Sequence, residues 1–148
     1  MLRQSRVLAC VAACGLLAAP PAYADEVLAT DQIKAEPIEM GDPSKTVIGQ
    51  ALSYPKGTPV MKAYRIMIPG SMSTSLHLHE VPIFAYVVSG TLEVDYGPKG
   101  MKRYQEGQGF MEAVNHCHKG RAVGDAPVEL VALYLGAPDL KNSVACKK

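Results

Sequence analysis

The chain has 148 residues, of which 48% are hydrophobic and 20% are charged, and these values suit one small globular domain. Such a composition excludes a disordered or fibrous chain. The formal net charge is only +1, and the lysines and arginines are scattered without interleaved aromatic residues, which excludes a nucleic-acid partner.

The first 24 residues have the pattern of a secretory signal peptide. Arg3 and Arg6 form a short basic region, residues 7–19 are small or apolar, and the predicted cleavage falls between Ala24 and Asp25. The apolar run is shorter than the ~20 residues that span a bilayer. We therefore expect a periplasmic or secreted protein that has no membrane attachment once the leader is removed.

Cysteine usage leaves two questions open. Cys14 ends a Val-Ala-Ala-Cys run that resembles a lipobox, but too little hydrophobic segment precedes it, so a lipoprotein is the minor alternative. Cys117 and Cys146 remain after cleavage, and an oxidising compartment permits one disulfide between them. Two free thiols fit equally well, because sequence alone does not fix the separation of the two Cα atoms.

After the leader, residues 25–45 read as a polar N-terminal arm with at most one short helix, because prolines and a Gly-Asp-Pro breaker interrupt them. Strands are then predicted over residues 46–52, 60–68, 83–88, 91–96, 101–105, 110–114 and 128–135, with one more short segment ending at His77 and His79. Glycine or proline separates most of them, and no long amphipathic helix appears. The predicted architecture is all-β, with one antiparallel domain over residues 46–140 and a tail over residues 141–148.

All four histidines lie in His-x-His pairs, His77 with His79 and His116 with His118. Side chains alternate along a strand, so residues two apart project from the same face. Two pairs on neighbouring strands can therefore bring three or four imidazoles to one point, and neutral imidazole is a common metal ligand. A polar rim that binds no metal is the alternative.

The chain also contains two spaced patterns: a glycine followed by His-x-His and a second glycine, and a glycine followed eleven residues later by a histidine. The matching residues are Gly70, His77, His79, Gly90, Gly107 and His118. In this combination, residues 60–136 resemble the cupin family. The resemblance implies a single-domain antiparallel β-barrel or jelly roll, a divalent metal ion within it, and a homodimer formed by strands near the arm.

Two departures from the family pattern leave the ligand set open. Ile83 stands where the family places a glutamate ligand, and Ala-Val-Asn at residues 113–115 replaces the usual Pro-x-Gly turn. The resemblance implies three histidine ligands, as in the cupin-like thiol dioxygenases, and these would be His77, His79 and His118. His116, Glu80 and Glu112 are the other candidates, and Glu112 is the expected acidic neighbour.

The expected cofactor is a divalent metal ion, with Fe, Mn, Zn, Ni and Cu all open. Three protein ligands leave coordination positions free, and an ion without a carboxylate ligand keeps its full charge and favours a small anionic or chelating ligand. The alternative is a metal-dependent cupin dioxygenase or isomerase acting on a small organic molecule. For proton transfer the sequence nominates only Glu112, Tyr86 and Cys117, and it contains no nucleophile motif, phosphate loop or dinucleotide fingerprint.

Overall fold

The computed structural model describes residues 34–147. The predicted signal peptide and residues 25–33 of the predicted arm lie outside the described residues, so the signal peptide and that part of the arm stay predictions. The chain divides into two units, Met1–Glu36 and Pro37–Lys148, and every strand found among the described residues belongs to the second. Among the residues that the structure describes, no helix is long and apolar enough to cross a membrane.

The described chain is built of short antiparallel strands. They are β1 (Val60–Ile68), β2 (His77–Leu78), β3 (Ile83–Ser89), β4 (Thr91–Asp95), β5 (Met101–Gln105), β6 (Gly109–Met111), β7 (Lys119–Ala122), β8 (Val128–Gly136) and β9 (Val144–Ala145). Within residues 34–147 the one helical element is a 3₁₀ turn, Gly97–Lys99. The prediction of an all-β, antiparallel barrel or jelly roll is confirmed.

The strands form two facing layers with the core between them. One sheet has the order β1-β8-β3-β6, another has the order β5-β4-β7, and β2 pairs with β9 in a small third sheet. Strand β8 alternates strictly between buried and half-buried residues, as expected where one face of a strand packs on a core. Its buried residues, such as Leu130, share one apolar cluster with Leu92 and Val94 of the opposite sheet.

Most predicted strands occur within a residue or two of their predicted bounds, but residues 46–52 are not a strand. They form a tight turn closed by an isolated bridge between Lys45 and Ala51, with the N–H of Gly49 donating to the carbonyl oxygen of Thr46 at 2.8 Å. Gly49 has a φ of +82°, a conformation that glycine adopts easily and β-branched residues do not. Its position inside the run explains the error.

The first and last glycines of the first histidine pattern make close backbone approaches. A Cβ atom on Gly70 would overlap the carbonyl oxygen of Asp125. Gly90 turns the chain from β3 into β4 with a φ of +83°, and a Cβ atom there would lie 2.5 Å from the carbonyl oxygen of Pro127. These glycines let the loop before β8 close against both ends of the segment that carries His77 and His79.

Candidate metal centre

The two histidine patterns meet through the backbone. His77, at the start of β2, forms an isolated antiparallel bridge with His118, just before β7. Each residue donates its N–H to the carbonyl oxygen of the other, at 3.0 Å from His77 and 2.8 Å from His118. Because the two residues are 41 positions apart in the chain, this pairing is what brings imidazoles from two distant segments to one place.

Three imidazoles converge at this bridge. One ring nitrogen from each of His77, His79 and His118 lies within 4.8 Å of the others. The ring centroids are 4.7 Å apart for His77 and His118, 4.9 Å for His77 and His79, and 5.0 Å for His79 and His118. Three nitrogen donors in one small volume are a donor set that Zn, Fe, Ni and Cu accept in proteins.

Backbone carbonyls fix which nitrogen of each ring is free. The Nδ1–H of His77 donates to the carbonyl oxygen of Ser75 at 2.7 Å, that of His79 to Asn142 at 2.6 Å, and that of His118 to His116 at 2.9 Å. A carbonyl oxygen can only accept, so each Nδ1 carries the proton and each Nε2 keeps its lone pair. Ligating histidines in metalloproteins are oriented in this way.

Burial keeps the three rings neutral. His79 and His118 are buried and His77 is half-buried, and this burial lowers the pKa of all three, with that of His79 lowered to about 4. A neutral imidazole is the form that binds metal. These residues, which can hold a divalent ion, therefore need no deprotonation at neutral pH to do so.

A buried carboxyl group lies beside the three rings. Oε1 of Glu112 accepts hydrogen bonds from the hydroxyl of Tyr96 at 2.8 Å and from the N–H of Ala113 at 2.6 Å. Oε2 lies 3.6 Å from Nε2 of His118, and Glu112 lines the same cavity as the triad. Burial raises the pKa of Glu112 to about 7, so its proton is held more tightly than that of an exposed glutamate.

The structure does not bring His116 into this group. Its Nε2 lies 2.9 Å from the carbonyl oxygen of Tyr96 instead. The two-residue alternation of a strand does not apply to this pair, because His116 lies in a loop that follows Asn115, whose φ is +52°. What His116 contributes to the triad is its carbonyl oxygen, which accepts the Nδ1–H of His118.

The other nominated residues lie apart from the triad. Oε2 of Glu80 accepts the N–H of Lys141 at 2.7 Å. Tyr86 alternates with buried Ala85 and Val87 on β3 and therefore projects away from the core. Cys117 forms a disulfide with Cys146, which settles the question that the sequence left open.

Ile83 is buried and lines the cavity beside the triad, so an apolar side chain occupies the position of the family's glutamate. The cavity has a volume of about 90 Å³, and its walls are mostly apolar, with residues such as Ile68, Phe110 and Leu130. None of its lining residues is a lysine or an arginine. A larger cavity of about 580 Å³, between residues 39–49 and β5 and β6, contains none of the three histidines.

Sequence reasoning missed two residues that matter here. Tyr96 was read only as a strand residue, although its buried hydroxyl binds Glu112. Asn142 lies in the predicted tail, and its carbonyl oxygen accepts the Nδ1–H of His79. A backbone carbonyl leaves no trace in residue identity, so no sequence signal marks the role of Asn142.

Comparison with known proteins agrees with this fold. The family model described as Cupin domain matches residues 63–134, and a search of curated proteins finds no match. Residues 63–134 of this chain therefore form a cupin domain.

Two solved structures share the fold. The DMSP lyase DddQ from Ruegeria pomeroyi DSS-3 is 20% identical with a TM-score of 0.51, over 57% of this chain and 42% of that one. The oxalate decarboxylase of Lactobacillus farciminis, solved as a formate complex, is 17% identical with a TM-score of 0.50, over 57% of this chain and 26% of that one. The chain thus spans less than half of either protein.

Proposed function

We propose that this protein binds one divalent metal ion through His77, His79 and His118 and uses the free coordination positions to bind a small anionic or chelating molecule. The observation that carries the proposal is the set of three Nδ1–H donations to backbone carbonyls, which leaves three Nε2 lone pairs available in one place. A polar rim without a metal has no need for three rings held in the same tautomer.

The ligand is limited in size and charge by the cavity. A volume of about 90 Å³ is far below the ~300 Å³ at which pockets for drug-sized ligands begin. No cationic side chain lines it, so a bound anion is balanced by the metal alone. These features favour a molecule of a few non-hydrogen atoms with one acidic group, such as a short-chain carboxylate.

Glu112 supports a second candidate, a metal-dependent oxygenase or isomerase. When bound, the metal would supply Lewis acidity, or oxygen activation if it is iron. The chain itself offers a buried carboxyl group at the cavity, with one oxygen hydrogen-bonded to Tyr96 and Ala113 and the other 3.6 Å from Nε2 of His118. A group so placed can accept or donate a proton at Oε2. The fold does not choose between binding and catalysis, because cupin-like barrels serve many functions.

The test is metal titration of chelator-treated protein, followed by elemental analysis. The wild-type protein should bind one equivalent, and His77→Ala and His118→Ala should each lose it. His116→Ala is the matched control, since it removes an imidazole from the same loop without touching the triad, and it should bind one equivalent. Equal binding by all four proteins, or none by the wild type, would reject the proposal.

Export and assembly belong to the same proposal. The leader pattern supports a periplasmic or secreted location, which N-terminal sequencing of the mature protein would check by finding Asp25 first.

Met61 and Met67 lie on the outer face of β1 with 66% and 63% of their surface exposed, which supports a homodimer through that face. The double variant Met61→Glu/Met67→Glu should then sediment as a monomer, whereas Met101→Glu, at an exposed site on β5, should sediment like the wild type.

A further inference from the structure

The last residues of the described chain lie across the strand that carries His77. We call residues 141–146 the C-terminal strap. Its β9 pairs with β2, opposing Ala145 to His77. The N–H of Cys146 donates to the carbonyl oxygen of Leu76 at 3.1 Å, and the N–H of Lys141 donates to Oε2 of Glu80 at 2.7 Å. The strap is therefore attached on both sides of the first histidine pair.

The strap also supplies a hydrogen bond to the metal centre. Two of the three carbonyls that orient the triad, those of Ser75 and His116, lie two residues from the histidine that they bind. The third belongs to Asn142, which lies 63 residues from His79 along the chain. Local backbone geometry can therefore hold His77 and His118, but the orientation of His79 depends on where the strap lies.

A disulfide joins the strap to the other histidine segment. Cys146 ends the strap, and Cys117 lies between His116 and His118, with the two cysteine Cα atoms 6.2 Å apart. One covalent bond thus ties the loop that carries His118 to the segment that orients His79. Without it, the strap would depend on a strand pair only two residues long, in which none of the four residues is fully buried, and chain ends held so lightly tend to fray.

We propose that the C-terminal strap and its disulfide act as a clamp that positions the metal ligands, and that Asn142, Cys117 and Cys146 are its positioning residues. The clamp holds His79 in the tautomer that frees Nε2 and keeps it in register with His118. This inference rests on the proposed metal site, and it concerns how that site keeps its geometry.

The first test is metal affinity in the double variant Cys117→Ser/Cys146→Ser, measured by Co²⁺ titration against a competing chelator at a temperature where far-UV circular dichroism shows a folded protein. Loss of an orienting hydrogen bond to a ligating histidine typically lowers metal affinity by about 10–100-fold, and we expect a loss in that range. A merely structural role would lower the melting temperature and leave the affinity of the folded protein unchanged.

The second test measures the tautomer of His79 in the absence of any metal. In the metal-free wild type, ¹⁵N imidazole spectra should show His79 as the Nδ1–H tautomer, and in the double variant His79 should lose this preference while His77 keeps it. Glu80→Ala retains the disulfide but removes the acceptor for Lys141, so it should weaken the same preference to a smaller extent. The Glu80→Ala protein also provides the test of the clamp if the double variant does not fold.

The two readouts separate the two proposals. If the wild type binds no Co²⁺ but the variants still change the tautomer of His79, the metal site is wrong and the clamp stands. If the wild type binds Co²⁺ and the folded variants keep both its affinity and the His79 tautomer, the clamp is wrong and the metal site stands.

Discussion

Replacing Glu112 with glutamine should stabilise the metal-free protein at high pH and leave it nearly unchanged at low pH. The carboxyl group is buried, with 6% of its residue surface exposed, and burial raises its pKa from 4.5 to about 7. The folded state therefore holds a proton that the unfolded state releases between these two values. The free energy of unfolding of the wild type therefore falls as the pH rises from 4.5 toward 7, because only the unfolded state gains from ionising this group.

The size of the effect follows from the shift. A difference of two to three pKa units, at ~1.4 kcal/mol each, amounts to about 3 kcal/mol, and most of it develops between pH 5 and pH 8. Glutamine can still accept the hydrogen bonds from Tyr96 and Ala113, so the substitution removes the charge and little else. The depressed pKa of His79 acts in the opposite direction, but it is present in both proteins and cancels in the difference.

The assay is urea unfolding of chelator-treated protein, followed by far-UV circular dichroism at pH 5 and pH 8. The Glu112→Gln protein should be the more stable of the two at pH 8, by about 2–3 kcal/mol more than at pH 5. Glu106→Gln, at an exposed turn position, is the control and should show no such change. An equal gap between wild type and Glu112→Gln at both pH values would refute the reasoning.

Three further predictions follow from the same contacts. Tyr96→Phe leaves the Glu112 carboxylate short of a donor and should cost about 1–3 kcal/mol in urea unfolding, with the larger loss at pH 8 where Glu112 is ionised. Gly100→Ala, at a φ of +87° in open space, should lower the free energy of unfolding by about 1–2 kcal/mol. Gly70→Ala should lower it clearly more, because its Cβ would overlap the carbonyl oxygen of Asp125. Equal losses of stability in thermal melts would contradict this packing. Straight-chain carboxylates can be titrated calorimetrically into metal-loaded protein, and their affinity should peak at two or three carbons and fall for longer acids. A steady rise of affinity with chain length would show that the cavity does not limit the size of the ligand.

The parts of the fold that the sequence predicted are those with local signals. Strand β4 alternates apolar Leu92 and Val94 with polar residues and is followed by a Gly-Pro turn, and β8 is a buried apolar run, so the hairpin and β8 were both found. Lys119–Ala122 reads Lys-Gly-Arg-Ala, with no β-branched or aromatic residue, and it becomes a strand only because β4 offers an edge to pair with. Tertiary pairing of this kind is invisible in a local pattern.

The candidate site shows the same division. Identity and spacing were enough to nominate His77, His79 and His118, because imidazole is a distinctive residue type and the family pattern fixes its spacing. They could not separate His116 from the triad, since that depends on a left-handed residue, Asn115, which redirects the loop. The contribution of the strap was hidden as well, because it acts through a main-chain oxygen.

The central claim is that imidazoles from two distant segments share one cation. A crystal structure of the metal-loaded protein, with the ion located by its anomalous scattering, tests this most directly. We predict a single peak at ~2.0–2.2 Å from Nε2 of His77, His79 and His118, with the ring of His116 turned away. An ion bound elsewhere, or ligated by His116 in place of one of the three, would contradict the account.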